Sequence, residues 1–105
     1  RLGGDEFVVL LGDLPSERDA AREDVRRIAR KLLARLGEPF RLNGPAGLPV
    51  QHDCTASVGA VMFDDGDVDV DALMSWADGA MYRAKQAGGD RLCLLDPGGV
   101  LQQPA

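Results

Sequence analysis

Near its start the chain reads Arg1-Leu2-Gly3-Gly4-Asp5-Glu6-Phe7, with two glycines set directly before two carboxylates. Gly-Gly suits a two-residue hairpin turn, and glycines let backbone N–H groups approach a phosphate closely. An acid placed right after them is suited to Mg2+, a hard cation that takes carboxylate and phosphate oxygens together. The same residues also describe a plain turn with two exposed acids. A second set, Asp78, Tyr82 and Lys85, falls at i, i+4 and i+7 along one side of a helical stretch. It reads either as a ladder of surface pairs or as a stem that offers Lys85 as a point charge for phosphate.

Other chemistries fall away. The one histidine, His52, leaves no His-based metal site and no Ser-His triad, and it reads as a loop residue. There is no C-x-x-C, no Walker A loop and no G-x-G-x-x-G. Asp64 to Asp71 contains five aspartates. It reads as a solvated loop leading into a helix N-terminus, because it does not carry the glycine and distal glutamate expected of an EF-hand.

These groups need elements to position them. Phe7-Val8-Val9-Leu10-Leu11 is a continuous apolar run that predicts a strand buried on both faces. Because the chain opens on such a strand, a neighbouring strand is expected upstream. Gly12-Asp13-Leu14-Pro15 breaks the run, and Ser16 is placed to cap a helix. Ala21, Val25, Ile28, Ala29, Leu32, Leu33 and Leu36 recur at spacings of three and four, one face of an amphipathic helix that Gly37 and Pro39 end. Phe40 to Val50 predicts a short irregular hairpin. Asp53 to Phe63 predicts a strand in which Gly59 marks a bulge or a close backbone approach. A second helix is predicted from Val70 to Ala87, with Gly88-Gly89 ending it, and Arg91 to Leu95 is a last strand. The order strand, helix, hairpin, strand, helix, strand suits helices packed on a sheet, with no internal repeat.

Composition narrows the partners. The 105 residues carry 12 basic and 17 acidic side chains, a net charge of −5, which argues against non-specific nucleic-acid binding. The apolar runs are too short to span a bilayer, so no membrane contact is expected of this segment. Cys54 and Cys93 are too few for a disulfide scaffold and read as reduced, buried thiols of a cytoplasmic protein.

Arg-x-Gly-Gly-Asp-Glu-Phe followed by an apolar strand resembles the signature of the GGDEF family, the diguanylate cyclases of bacterial second-messenger signalling. Thr55-Ala56-Ser57-Val58-Gly59 is similar to the family's T-x-S-[IV]-G strand, and Ala77-Asp78-Gly79-Ala80-Met81-Tyr82-Arg83-Ala84-Lys85 to its A-D-x-A-[LM]-Y-x-A-K helix. The resemblance covers residues 1–95 and implies a partial domain that starts at the signature hairpin, about the C-terminal two-thirds. Residues 96–105 read as a linker or disordered tail. The implied fold is an α/β (α+β) sandwich, nucleotide-cyclase or palm-like, with a central mainly antiparallel sheet flanked by helices and truncated at its N-terminus.

The resemblance further implies an enzyme that condenses two GTP molecules into cyclic di-GMP as a homodimer, each 3′-hydroxyl attacking the other nucleotide's α-phosphate. Asp5 and Glu6 would be catalytic and would hold Mg2+ or Mn2+. Gly3, Gly4 and Lys85 would bind substrate. Arg30 falls near a helix arginine that contacts the regulatory product in some members. The setting is cytoplasmic, in a protein that other segments can anchor to a membrane. Because the family's first strand, with a further metal-binding Asp, lies upstream of the signature, the segment alone is expected to be inactive.

One stretch departs from the pattern. The family continues A-K-x-x-G-R-N, whereas this chain has Ala84-Lys85-Gln86-Ala87-Gly88-Gly89-Asp90. A phosphate-contacting arginine is thus replaced by Gly89, a loss of roughly 1.5–3 kcal/mol if the contact is charge-assisted. Asp90 adds a negative charge, and Arg91 is available to substitute in part. The alternative reading is a non-catalytic GTP-binding or dimerisation module, of the kind that precedes an EAL phosphodiesterase domain.

Overall fold

The computed structural model describes residues 3–64 and 69–95, with only the backbone of Phe40 and His52. Arg1, Leu2, most of the aspartate-rich loop and the 96–105 tail lie outside the described residues, as does the side chain of His52.

Helix α1 spans Arg18–Leu36. Its cap is Glu17 rather than Ser16: the Glu17 carboxylate accepts from the Asp19 N–H at 3.0 Å and the Ala20 N–H at 2.8 Å. Two first-turn amides that have no helical partner are thereby satisfied. Ion pairs Asp19–Arg22, Glu23–Arg26 and Asp24–Arg27, each three residues apart, run along the polar side. The opposite side buries Ala21, Val25 and Ala29.

Strands β1 (Phe40–Asn43) and β2 (Pro49–His52) form the expected hairpin, antiparallel, around a 3-10 turn at Pro45–Gly47. Strand β3 is Ser57–Val61, helix α2 is Val70–Gln86 and strand β4 is Arg91–Leu95. β3 and β4 pair in parallel, Ser57 opposite Arg91 and Val61 opposite Leu95. Parallel neighbours need a crossover, and α2 supplies it. The unit β3–α2–β4 is the heart of the fold. Ala80, Ala84 and Cys93 form its buried cluster. Side chains alternate along a strand, so Leu92 and Leu94 point to the other face of β4. Both are buried, and α1 is the further helix that packs on β4.

Two further expectations change. Among the described residues the sheets are two separate pairs, and the pair that carries the core is parallel. The expected central, mainly antiparallel sheet is not found among the described residues. The run Phe7–Leu11 is not a buried strand: Phe7 is 71% exposed, Val8 55%, Val9 65% and Leu10 77%, and none of it is paired. A strand buries both faces only between sheet neighbours under covering layers, and the described residues place none beside it. No helix among the described residues is long and apolar enough to cross a membrane.

Gly59 sits where α2 crosses β3. A Cβ there would fall on the Ala77 carbonyl oxygen and the Met81 amide nitrogen, and 2.8 Å from the Met81 Cα. All three are backbone atoms of a helix and cannot swing aside. Gly59→Ala is therefore expected to destabilise the protein by about 2 kcal/mol or more, the scale of overpacking. An unchanged urea midpoint would show that the helix is not seated so closely.

The Glu17 cap gives a second test. Its hydrogen bond from the Asp19 amide, and then that from Ala20, hold its carboxyl below the ordinary glutamate range. A group whose folded pKa is depressed stabilises above its unfolded pKa and loses that contribution as pH falls through the folded value. Glu17→Ala should lower the melting temperature at neutral pH. The gap from wild type should close as the solution is acidified below the usual glutamate range, and a pH-independent gap would contradict the cap.

Candidate functional site

The glycine-acid motif folds into one tight turn. The Glu6 amide donates to the Gly3 carbonyl at 2.9 Å, and Gly3 and Glu6 form an isolated antiparallel bridge. The two central residues are thus Gly4 and Asp5, one step later than a Gly-Gly turn. Gly4 has a φ of +53° and Asp5 does not take a positive φ. That is the pattern of a type II′ turn, which requires glycine at its first central position. A Cβ on Gly3 or Gly4 would meet nothing within 4 Å, so the space over the turn is open. Gly3, Gly4 and Asp5 are exposed and Glu6 is half-buried.

The turn carries two adjacent carboxylates, Asp5 exposed and Glu6 half-buried. Among the described residues no group of three or more potential ligands gathers to hold a metal ion. Mg2+ retains waters and is commonly held by one or two carboxylates together with substrate phosphates. Asp5 and Glu6 fit that role and do not form a closed protein cage.

Lys85 lies on a second corner, exposed in the last turn of α2 beside Arg83. The helix ends in a Schellman arrangement: the Gly89 N–H donates to the Ala84 carbonyl at 2.9 Å and the Gly88 N–H to Lys85 at 3.1 Å. Gly88, Gly89 and Asp90 then follow with φ of +121°, +73° and +53°. Arg91 folds back over this turn, its Nε donating to the Gly89 carbonyl at 2.9 Å. The sequence pattern offered Arg91 as a partial substitute for the missing arginine, but its bond to the Gly89 carbonyl could not be read from spacing. The signal was present in Gly88, whose missing side chain leaves room for the guanidinium.

Arg30 lies on α1, exposed. With Leu33, Ala34, Gly37 and Asp90 it lines an open cleft of about 450 Å3. The cleft pairs a cation with an anion from distant parts of the chain, and the place of Asp90 in it could not be read from spacing. Among the described residues no hydrogen bond or ion pair joins the carboxylates of Asp5 or Glu6 to Lys85 or Arg30. Asp78, Tyr82 and Lys85 are all exposed and likewise unlinked.

Comparison with known proteins bears on these corners together. The family model described as "Diguanylate cyclase, GGDEF domain" matches residues 1–91. The chain is 38% identical over 105 residues to the diguanylate cyclase TpbB of Pseudomonas aeruginosa (strain UCBPP-PA14), covering 98% of this chain and 22% of that protein. It is 33% identical over 97 residues to the cyclic di-GMP phosphodiesterase PdeR of Escherichia coli (strain K12), covering 92% of this chain and 13% of that protein. It is 33% identical over 100 residues to the bifunctional diguanylate cyclase/cyclic di-GMP phosphodiesterase MucR of Pseudomonas aeruginosa (strain PAO1), covering 91% of this chain and 12% of that protein. The chain therefore spans less than a quarter of the length of these relatives. No solved structure matches. With the family model running from the glycine-acid turn through α2 to the start of β4, the chain belongs to the GGDEF domain family of diguanylate cyclases.

Proposed function

We propose that this chain is the catalytic part of a diguanylate cyclase domain that condenses two GTP molecules into cyclic di-GMP. The observation that carries the reading is the intact turn Gly3–Glu6. Its open glycine surface and paired carboxylates suit a nucleotide phosphate and a divalent cation side by side. Gly3 and Gly4 let the phosphates approach, Asp5 and Glu6 are the metal-binding catalytic acids, and Lys85 meets the terminal phosphates. Mg2+, when bound, neutralises phosphate charge and helps activate the 3′-hydroxyl. Each protomer of a homodimer presents one GTP. Each 3′-hydroxyl gives up its proton to solvent as its oxygen bonds to the other nucleotide's α-phosphorus, and the bond from that phosphorus to the oxygen bridging the β-phosphate breaks, so that pyrophosphate leaves with the electron pair. The setting is cytoplasmic, and Arg30 lies on the face that takes up product for regulation.

A specific feature favours a second reading, a regulatory domain that binds GTP or dimerises without turnover. Gly89 and Asp90 remove a cation and add an anion near the Lys85 corner. One similar protein is named a phosphodiesterase and another is named for both activities.

The deciding experiment incubates the full-length protein with Mg2+ and GTP and follows cyclic di-GMP by chromatography. Product is expected, and Asp5→Ala should reduce it at least a hundredfold, the scale of losing a metal-held catalytic charge. GTP binding without product in the wild type would establish the regulatory reading instead. Asp90→Asn provides a finer check. Asparagine tolerates the left-handed backbone at this position, so the fold should be unchanged while GTP affinity rises severalfold as the repelling charge is lost. Equal affinity by calorimetry would show that Asp90 does not face the nucleotide.

A further inference from the structure

The end of α2 is an unpromising place for an anion. The helix dipole is negative there, and the Gly88 and Gly89 amides are already given to Lys85 and Ala84. Any phosphate held at this corner depends on side-chain donors. Lys85 is one. Arg91 is built into the corner as another. Its Nε is fixed on the Gly89 carbonyl at 2.9 Å, and its Nη2 lies 3.0 Å from where a Gly88 Cβ would stand. The guanidinium thus fills the volume that a side chain at 88 would have claimed. Arginine has five N–H donors. With one spent on Gly89, the four on the terminal nitrogens keep the fork that matches phosphate oxygens. The hydroxyl of Ser57, which pairs in register with Arg91, lies 3.5 Å from the position of a Gly89 Cβ and lines the same corner.

We propose that Arg91, clamped against the glycine turn after α2, is the second cation for the terminal phosphates of GTP, acting beside Lys85. The inference rests on the GTP-binding reading above and adds a residue to it. Gly89 then does more than lack an arginine. Its carbonyl anchors the Arg91 Nε, and the absent side chain of Gly88 leaves room for the guanidinium arriving from two residues downstream of Gly89. Because the donated Nε bond holds the side chain in place, little rotamer freedom remains to be lost when the phosphate binds.

The test separates the backbone bond from the phosphate fork. In Arg91→Gln the side-chain nitrogen stands the same number of bonds from the backbone as Nε, so the donor to Gly89 is kept while the charge and the fork are removed. Affinities for GTP and GMP are measured by calorimetry on the full-length protein. Arg91→Gln should keep the wild-type melting temperature and GMP affinity but lose roughly ten- to a hundredfold in GTP affinity, the range of a charge-assisted hydrogen bond. Arg91→Lys, which retains the charge, should fall between the two. Unchanged GTP affinity in Arg91→Gln would leave Arg91 a cap of the turn and overturn the proposal. So would an equal fall for GTP and GMP, which would show action through the fold. A wild-type protein that does not bind GTP would overturn both this assignment and the cyclase reading. Loss of product in Asp5→Ala with unaltered GTP binding in Arg91→Gln would overturn this assignment alone.

Discussion

The absence of a side chain at Gly59 is the constraint on which the described structure depends most. It lets the backbone of α2 lie directly on β3, closer than any Cβ would allow. That approach sets the height of the whole helix over the parallel pair. Small residues continue the contact, Ala80 and Ala84 against Cys93. A helix seated so low needs a sharp exit to rejoin the sheet as β4, and the Schellman turn at Gly88–Gly89 provides it. The corner that carries Lys85 and Arg91 is therefore a mechanical consequence of a packing choice made on the opposite strand. Burial of Cys93 in this contact also pushes its thiol pKa up, against the opposing charge of Arg83, so it is a packing residue rather than a reactive one.

Much of this was legible in advance because it is local. The apolar periods of Ala21, Val25 and Ala29, and of Ala80 and Ala84, correctly placed both helices. Arg91–Leu95 is bounded by glycines on one side and Pro97 on the other, and its strand has the predicted limits. Gly59 within a strand pattern pointed to the close approach that is found. What failed depended on distant partners. Phe7–Leu11 is apolar enough for a buried strand, but burial is a property of neighbours rather than of the run itself. The predicted strand from Asp53 shortened to Ser57–Val61 because only that stretch lies beside β4. Glu17 displaced Ser16 as cap because its longer side chain reaches two amides at once.

The candidate site divides in the same way. The turn at Gly3–Glu6 is set by its own four residues, so its chemistry could be read from the sequence, with a shift of one position in its centre. The second corner could not. Arg91 reaches Gly89 only because three successive residues take positive φ, and Asp90 lines the same cleft as Arg30 only because α1 packs on β4. Asp90 is accordingly shared between two regions. It belongs to the turn that follows α2 and also lines the cleft on α1.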